Sequence, residues 1–386
     1  MKKALIVGGS NGIGLSIAGM LVEQDYHVLI ADMVAPDASV LSDPETYTYF
    51  PCNLLCFDAG LFEQISKDPE VSFLMITAGF GKVTEFINIH PAEIRNMMQV
   101  NTVAVLQILR IFYDRLCGKA PFFCGMMGSI AGLVSSPLFS VYAASKAALC
   151  RFAESVNIEL EAAETENRIL NVSPGSIGGT KFNGGSNDPL QTRALAEQII
   201  ERMYRHEELY IPDYENIYRG VIDRYRQDPH QYGMDSYRYK MQSGRVQKES
   251  AVRIGYLSGT FDLFHVGHLN LLKRAKAQCD YLIVGVHPDA SHKGKQTFIP
   301  FEERLAVVEG CRYVDKAVPS CREDSDAWDL HHYHKLFVGS DYKGTERFQR
   351  YEAYFADKDV EIVYFPYTQG TSSTQIRNTI IQDKSK

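Results

Sequence analysis

Two sets of residues have types and spacings that could do chemistry. In the first, Tyr142 and Lys146 stand four positions apart, a spacing that places both on one face of a helix. An ammonium beside a phenol favours the phenolate. Lys146 should therefore draw the Tyr142 pKa down towards the working range of a general acid or base. Ser129 offers a hydroxyl to the oxygen of a carbonyl or alcohol, and Asn101, inside a helical pattern, could keep a water path in order. In the second set, His265 and His268 lie in the run Gly259-Thr-Phe-Asp-Leu-Phe-His-Val-Gly-His268. At i and i+3 they can project the same way from an opening helical turn. As donors they would stabilise charge building on the α-phosphate and the leaving pyrophosphate of a nucleoside triphosphate. Taken alone, a His-x-x-His pair is more often a polar helix start or a pair of metal ligands.

The elements that must position the first set begin at the N-terminus. Ala4 to Val7 reads as a short buried strand entering Gly8-Gly-Ser-Asn-Gly-Ile-Gly14, and Ile13, Ile17 and Leu21 mark one face of the following helix. Gly8, Gly12 and Gly14, with Ser10, Asn11 and Ile13 between them, allow a tight turn and close approach of backbone to a pyrophosphate. The strand His27 to Ala31 ends at Asp32, an acid able to accept from ribose hydroxyls and repel a 2′-phosphate. Met33 follows, with no Arg or Lys in the loop or after the acid, so NAD(H) is favoured over NADP(H). Phe73 to Thr77 is another strand, running into Ala78-Gly79, and Pro121 to Gly125 leads to Ser129. A long helix starts about Tyr142 and continues to about Ala163. Lys181 to Pro189 has the composition of a substrate lid, and Asp188 to His206 reads as a helix. Between Tyr210 and Tyr239 tyrosines and arginines alternate, including Tyr214, Tyr218, Arg224, Tyr225 and Tyr232. A subunit or domain contact is the favoured meaning there, over a grip on phosphate or nucleic acid.

The second set needs its own frame. Val252 to Leu257 reads as a strand and Leu269 to Ala277 as a helix, so Ser258 to His268 is the turn between them, with Gly259, Thr260 and Phe261 at its start. Such a turn presents backbone N–H groups and a positive helix end to an anion. Tyr281 to Val286 is a strand ending at His287-Pro-Asp289, and Lys293-Gly-Lys295 offers two point charges in a polar loop. Lys335 to Val338 leads into Gly339-Ser-Asp341, and Val360 to Phe365 into Tyr367. The run Thr371, Ser372, Ser373, Thr374 opens a last helix with hydroxyls and N–H groups suited to phosphate oxygens. His331, His332 and His334 fit no tetrahedral ligand set, and no metal site is assigned.

Composition bounds the possibilities. A chain of 386 residues is too long for one ordinary core, and the expected division is 1–245, a linker over 246–251, and 252–386. A net charge of −7 with a pI near 5.9 argues against a nucleic-acid or membrane partner. No stretch approaches the roughly 18 apolar residues of a membrane span, and Met1-Lys-Lys leads straight into a strand. A cytoplasmic protein is expected. The eight cysteines show no C-x-x-C pair and are assigned no chemistry.

With these residues in order, residues 1 to about 245 resemble a short-chain dehydrogenase/reductase. The resemblance implies Tyr142 as proton donor, Ser129 as its partner, Lys146 as the ribose-binding modifier of its pKa and Asn101 as fourth member. Ala78, Gly79, Pro174, Gly175 and Thr180 complete the implied cofactor site. Asn53 stands where that family usually has an Asp near the adenine, and Ile76-Thr77 replaces Asn-Asn. The decapeptide, and with it residues from about Ile254 to Ile380, is similar to the HxGH cytidylyltransferases that activate glycerol 3-phosphate, phosphocholine and phosphoethanolamine. That likeness implies Lys293 and Lys295 on phosphates, and Arg304, Asp289 and Asp341 near the nucleotide. Tyr367 replaces an Arg of the family pattern, and Arg377 could compensate.

The implied fold class is α/β: two doubly wound parallel-sheet domains, an NAD(P)-binding Rossmann fold and a smaller Rossmann-like nucleotidyltransferase fold. The implied function is bifunctional. A keto-sugar phosphate is reduced to an alditol phosphate, which attacks CTP, with Mg²⁺ on the triphosphate, to give a CDP-alditol. Ribulose 5-phosphate, ribitol 5-phosphate and CDP-ribitol lead, because short-chain reductases fused to nucleotidyltransferases of another fold serve that pair. Surface polysaccharide or teichoic acid synthesis would use the product, and a homodimer is expected. The alternatives are a glycerol 3-phosphate route with a separate reductase activity, ATP in place of CTP, two unrelated activities in one chain, and a non-catalytic cofactor-sensing first domain.

Overall fold

The structure is a computed structural model that describes residues 2–180, 182, 188–246, 252–289 and 296–366. The chain divides into two compact units, 1–250 and 251–386.

The first unit is built on strands β1 (Lys3–Val7), β2 (His27–Asp32), β3 (Tyr47–Pro51), β4 (Val71–Ile76), β5 (Phe123–Met127), β6 (Ile169–Val172) and β7 (Leu209–Tyr210). They form one seven-stranded sheet in the order β3-β2-β1-β4-β5-β6-β7, and its pairs are parallel. Strand β1 is nearly all apolar because helices cover both faces. Its alternate side chains divide between two cores: Leu5 and Val7 pack with Ile108, Leu149 and Leu160 on one face, Ala4 and Ile6 with Leu15, Ile17 and Ile199 on the other. The strand order reverses between β1 and β4, which opens a crevice at their C-terminal ends. The Gly8 loop leaves β1 there, and Thr77-Ala78-Gly79 leaves β4.

Three further features place side chains at this crevice. The helices Pro91–Met98 and Ala104–Ile111 are joined by a π-helical turn, Gln99–Val103, that carries Asn101; such bulges re-aim a side chain without ending the helix. The helix Ser140–Ala162 carries Tyr142 and Lys146 in its first turns. The helices Arg219–Gln227 and Pro229–Gln242 follow β7. Tyr214, Tyr218, Tyr225 and Tyr232 pack against Val134, Ile211 and Ile222. These four rings are half-buried on the first unit.

The second unit has strands β8 (Ile254–Gly259), β9 (Tyr281–Val286), β10 (Lys316–Pro319), β11 (Lys335–Gly339) and β12 (Glu361–Phe365). They form a parallel sheet in the order β10-β9-β8-β11-β12. Again one strand feeds two cores: Leu257 faces Leu272 and Phe337, while Tyr256 faces Phe348 and stacks on Tyr333 at 5.0 Å. The order reverses at β8, so the turn after Gly259 lies at the opening between β9 and β11. Among the described residues no helix is long and apolar enough to cross a membrane.

Candidate active sites

In the first unit the glycine-rich loop packs tightly on itself and on the end of β4. Gly8 has a φ of +86°, and a Cβ on it would lie 2.6 Å from the Ala78 nitrogen; one on Gly14 would lie 2.2 Å from the Gly8 oxygen. No side chain fits at either position. The Thr77 hydroxyl donates to the Gly8 carbonyl at 2.9 Å, so the Thr that departs from the family pattern braces the loop from β4. Asn11 is the N-cap of the helix Gly12–Val22 without a side-chain cap bond, and the Ile13 side chain turns to the core, leaving its backbone to the loop. Thr180 lies over Gly12, its methyl 3.3 Å from where a Cβ there would be. The Asp32 carboxylate accepts from the Ser10 N–H at 3.0 Å and the Met33 N–H at 2.7 Å. It ties the end of β2 to the loop.

The four residues of the hydride site converge. A Cβ on Gly79 would lie 3.2 Å from the Asn101 Oδ1 and 3.3 Å from the Lys146 Nζ, so both side chains meet over Gly79. Asn101 is locked by accepting from the Phe80 N–H at 3.0 Å and donating to the Phe80 carbonyl at 2.8 Å and the Ser145 hydroxyl at 3.1 Å. Lys146 donates to the Met127 carbonyl at 2.7 Å and lies 5.7 Å from the centre of the Tyr142 ring. Burial pushes the Tyr142 phenol up to about 12, opposed by its hydrogen bond with Ser129. Burial likewise pulls Lys146 down to about 8. The Lys146 ammonium is held on the Met127 carbonyl, and burial is the largest influence on the phenol, opposing its ionisation.

The walls of this site include residues that sequence reasoning missed. Phe139 stacks on Tyr142 with ring centres 4.1 Å apart, and Phe182 stands 5.3 Å from the same ring. Phe139 lies one helical turn before Tyr142, a signal that was available. Ser129 donates to the Pro174 carbonyl at 3.4 Å. On Gly175 a Cβ would fall 1.5 Å from the Tyr218 hydroxyl. That hydroxyl fills the space beside Pro174-Gly175 and is bonded by the Ser176 backbone. Tyr218 was noted only as part of a tyrosine run, and nothing local pairs it with a residue 43 positions earlier.

In the second unit the decapeptide forms the strand-to-helix turn. His265 is the N-cap of the helix Val266–Lys276, its Nδ1 accepting from the Gly267 N–H at 3.0 Å, while the His268 Nδ1 accepts from the His265 N–H at 3.4 Å. Each imidazole therefore carries its neutral-form proton on Nε2. The rings lie 4.1 Å apart, backed by Phe261 and Phe264. Burial holds His265 below the usual histidine range, favouring that neutral donor. Phe261 and Leu263 take positive φ values of 53° and 51°, a strain of the kind that collects at functional turns. The turn is held by Asp262, whose buried carboxylate accepts from the Phe298 and Ile299 N–H groups. The Thr260 hydroxyl is buried with no hydrogen-bond partner among the described residues.

Arg304, expected near the nucleotide, stands beside the turn after β8. It is 1 % exposed, and it donates to the carbonyls of Thr260, His287, Pro288 and Ile299 at 2.6 to 2.9 Å. With its donors on backbone, it braces the turn, the end of β9 and the segment before its own helix. Asp289 stands exposed past the end of β9, and Asp341 exposed past the end of β11 in the short helix Ser340–Tyr342. A Cβ on Gly339 would lie 2.4 Å from the Asp341 Oδ1, whereas one on Gly259 would meet the Phe261 ring at 2.9 Å. Lys293, Lys295, Tyr367, Thr371, Ser372, Ser373, Thr374 and Arg377 lie outside the described residues. Among the described residues no cluster of His, Cys, Asp and Glu could hold a metal ion.

The fold of each unit defines its class: the first is that of an oxidoreductase and the second that of a nucleotidyltransferase. Residues 2–191 match the family model of the short chain dehydrogenases, and through residues 256–379 the chain belongs to the cytidylyltransferase-like family. The second unit is 35 % identical over 126 residues to a glycerol-3-phosphate cytidylyltransferase of Bacillus subtilis, covering 32 % of this chain and 92 % of that protein. The first is 31 % identical over 159 residues to the dehydrogenase RED2 of Cochliobolus heterostrophus, covering 40 % of this chain and 60 % of the relative. The crystal structure of a short-chain dehydrogenase from Streptomyces avermitilis superposes with a TM-score of 0.50 at 18 % identity, over 62 % of this chain and 100 % of that one. That likeness is one of fold.

Proposed function

We propose that the chain makes a CDP-alditol in two steps: NADH-dependent reduction of a keto-sugar phosphate to an alditol phosphate, then transfer of a cytidylyl group from CTP to that phosphate. One observation carries the reading. Tyr142, with Ser129, Lys146 and Asn101 gathered around it, shares a chain with a histidine pair whose Nδ1 atoms both accept from backbone N–H groups. The first activity leaves an alcohol and the second caps a phosphorylated alcohol, so they fit as successive reactions.

NADH suits the first site. Gly8 and Gly14 let the loop turn tightly, so that its backbone can approach a pyrophosphate, and the Asp32 oxygens retain lone pairs for ribose hydroxyls. The exposed Met33 and Val34 offer no cation to a 2′-phosphate. A nicotinamide held there would supply hydride to the carbonyl carbon. Tyr142 gives its proton to the carbonyl oxygen as charge grows there, while Ser129 holds the same oxygen. Lys146 and Asn101 hold the ribose side and the route by which the phenol regains a proton.

In the second site the alditol phosphate oxygen attacks the α-phosphorus of CTP in line, and the bond to pyrophosphate breaks. His265 and His268 donate from Nε2 to the oxygens on which charge collects. Mg²⁺ arrives with the triphosphate, and Lys293, Lys295 and the run Thr371 to Thr374 are the further phosphate contacts of this reading. Ribulose 5-phosphate leads as the first substrate, with CDP-ribitol as product for a surface polymer made by a homodimeric enzyme. A second reading, CDP-glycerol from glycerol 3-phosphate, is favoured by the name of the Bacillus relative.

A panel of ketose phosphates with NADH and CTP, read by product mass, tests the proposal. The expected result is CDP-ribitol from ribulose 5-phosphate, with NADH oxidation falling to background in Tyr142→Phe. CDP-glycerol from glycerol 3-phosphate, with no NADH oxidised on any ketose phosphate, would overturn the first step.

A further inference from the structure

Tyr218 comes from a part of the first unit that the family match, residues 2–191, does not reach. It closes the π-helical turn Tyr214–Tyr218, which leads into the helix Arg219–Gln227. Among the described residues the other π-helical turn carries Asn101, and turns of this kind collect at functional sites. The Tyr218 ring is half-buried in a cluster with Val134, Ile211 and Ile222. Val134 stands just past the short helical turn Ile130–Gly132 that Ser129 caps. At the far end of the ring, the hydroxyl accepts from the Ser176 N–H.

This hydroxyl accounts for the glycine at 175. Gly175 is not at a positive φ, so its backbone would accept alanine. A Cβ on it would fall 1.5 Å from the Tyr218 hydroxyl and 2.4 Å from the Tyr218 Cζ. The hydroxyl therefore occupies the space of a side chain at 175. From here direct contacts run on to the proton donor. The Pro174 carbonyl accepts from the Ile130 N–H at 3.0 Å and from the Ser129 hydroxyl at 3.4 Å, and Ser129 is hydrogen-bonded to the Tyr142 phenol.

We propose that Tyr218 is a positioning residue of the reduction, holding Pro174-Gly175 in place and, through the Pro174 carbonyl, setting Ser129 against Tyr142; the inference rests on the reading of the first unit as a nicotinamide-dependent reductase. Tyr218 acts through these neighbours and not on the substrate. The segment after β7, outside the dehydrogenase match, is thereby part of the working site. A loosened Pro174-Gly175 leaves Ser129 misaimed in more of the chains, and a misplacement of about 1 Å is enough to slow a positioned reaction up to 100-fold. Such a loss falls on kcat more than on KM.

The test follows three quantities in the full chain: reduction of ribulose 5-phosphate by NADH, NADH affinity read from its own fluorescence, and the urea midpoint by circular dichroism. Tyr218→Phe keeps the packed ring and loses the hydroxyl. Its kcat should fall about fivefold or more, with the ketose KM and the midpoint near those of wild type. An unchanged kcat, whatever the midpoint, leaves Tyr218 a packing residue and overturns the proposal. Gly175→Ala should lower kcat about tenfold in the wild-type background and less in Tyr218→Leu, which lacks the atoms its methyl would meet. Equal losses in both backgrounds also overturn it, and Tyr218→Phe decides alone if the alanine chains do not fold. Should the wild type reduce no ketose phosphate, the substrate reading fails, and NADH affinity then decides the role of Tyr218. Gly175→Ala should weaken that affinity about fivefold, and less in Tyr218→Leu; equal effects, or no NADH binding by the wild type, overturn the proposal.

Discussion

At the scale of single residues, environment sets chemistry more than identity does. Lys146 has its folded pKa near 8, below its ordinary 10.5, so between those values the unfolded chain holds a proton that the folded chain has lost. Stability from this group therefore rises with pH across that window and is flat below it. The difference in urea unfolding free energy between wild type and Lys146→Met, followed by far-ultraviolet circular dichroism, should shift towards the wild type by about 1.4 kcal/mol per pH unit. A pH-independent difference would place the ammonium in water. His265 carries two duties that substitution can separate. Asn is as good an N-cap as any residue, so His265→Asn should keep stability within about 0.5 kcal/mol of wild type. Without the imidazole donor, pyrophosphate release from CTP should fall about 100-fold. An active His265→Asn would reduce the imidazole to a cap.

At the scale of elements, what was readable in the sequence was what local pattern controls. Strands β1, β4 and β9 are continuous apolar runs, and the structure places them within two residues of their expected bounds. Strands β3, β6, β7 and β10 were not anticipated. Strand β7 is only two residues long, and β3 and β10 are half-exposed edges without an apolar run. The convergence of Asn101, Ser129, Tyr142 and Lys146 was legible because their types and order are distinctive. The wall that Tyr218 makes on Gly175, and the brace that Arg304 makes across three segments, are long-range contacts with no local signature. Arg304→Met tests the brace. It strips the donor from four carbonyls, at about 1–3 kcal/mol for each left unpaired, and should lower the urea midpoint as well as raise the KM for CTP. The only tryptophan, Trp328, lies in the second unit, so its fluorescence reads that unit alone. A raised KM with an unmoved midpoint would instead make Arg304 a contact of the nucleotide.

At the scale of the whole molecule, each proposed site is assembled from elements of one unit: the proposed hydride site from β1, β2, β4, β5 and the helices after them, the proposed transfer site from β8 and the ends of its neighbours β9 and β11. If the sites are complete separately, the alditol phosphate can leave one chain and enter another. An equal mixture of Tyr142→Phe and His268→Ala chains should therefore convert ribulose 5-phosphate, NADH and CTP to the CDP-alditol, although neither variant does so alone. The mixture should show a lag, because its intermediate must build up in solution before the intact transferase sites bind it. Wild type should show a shorter lag if the shared chain raises the local concentration of the intermediate. A mixture that forms no product, while each variant keeps its remaining activity, would mean that the intermediate does not exchange between chains and that the two units must act within one.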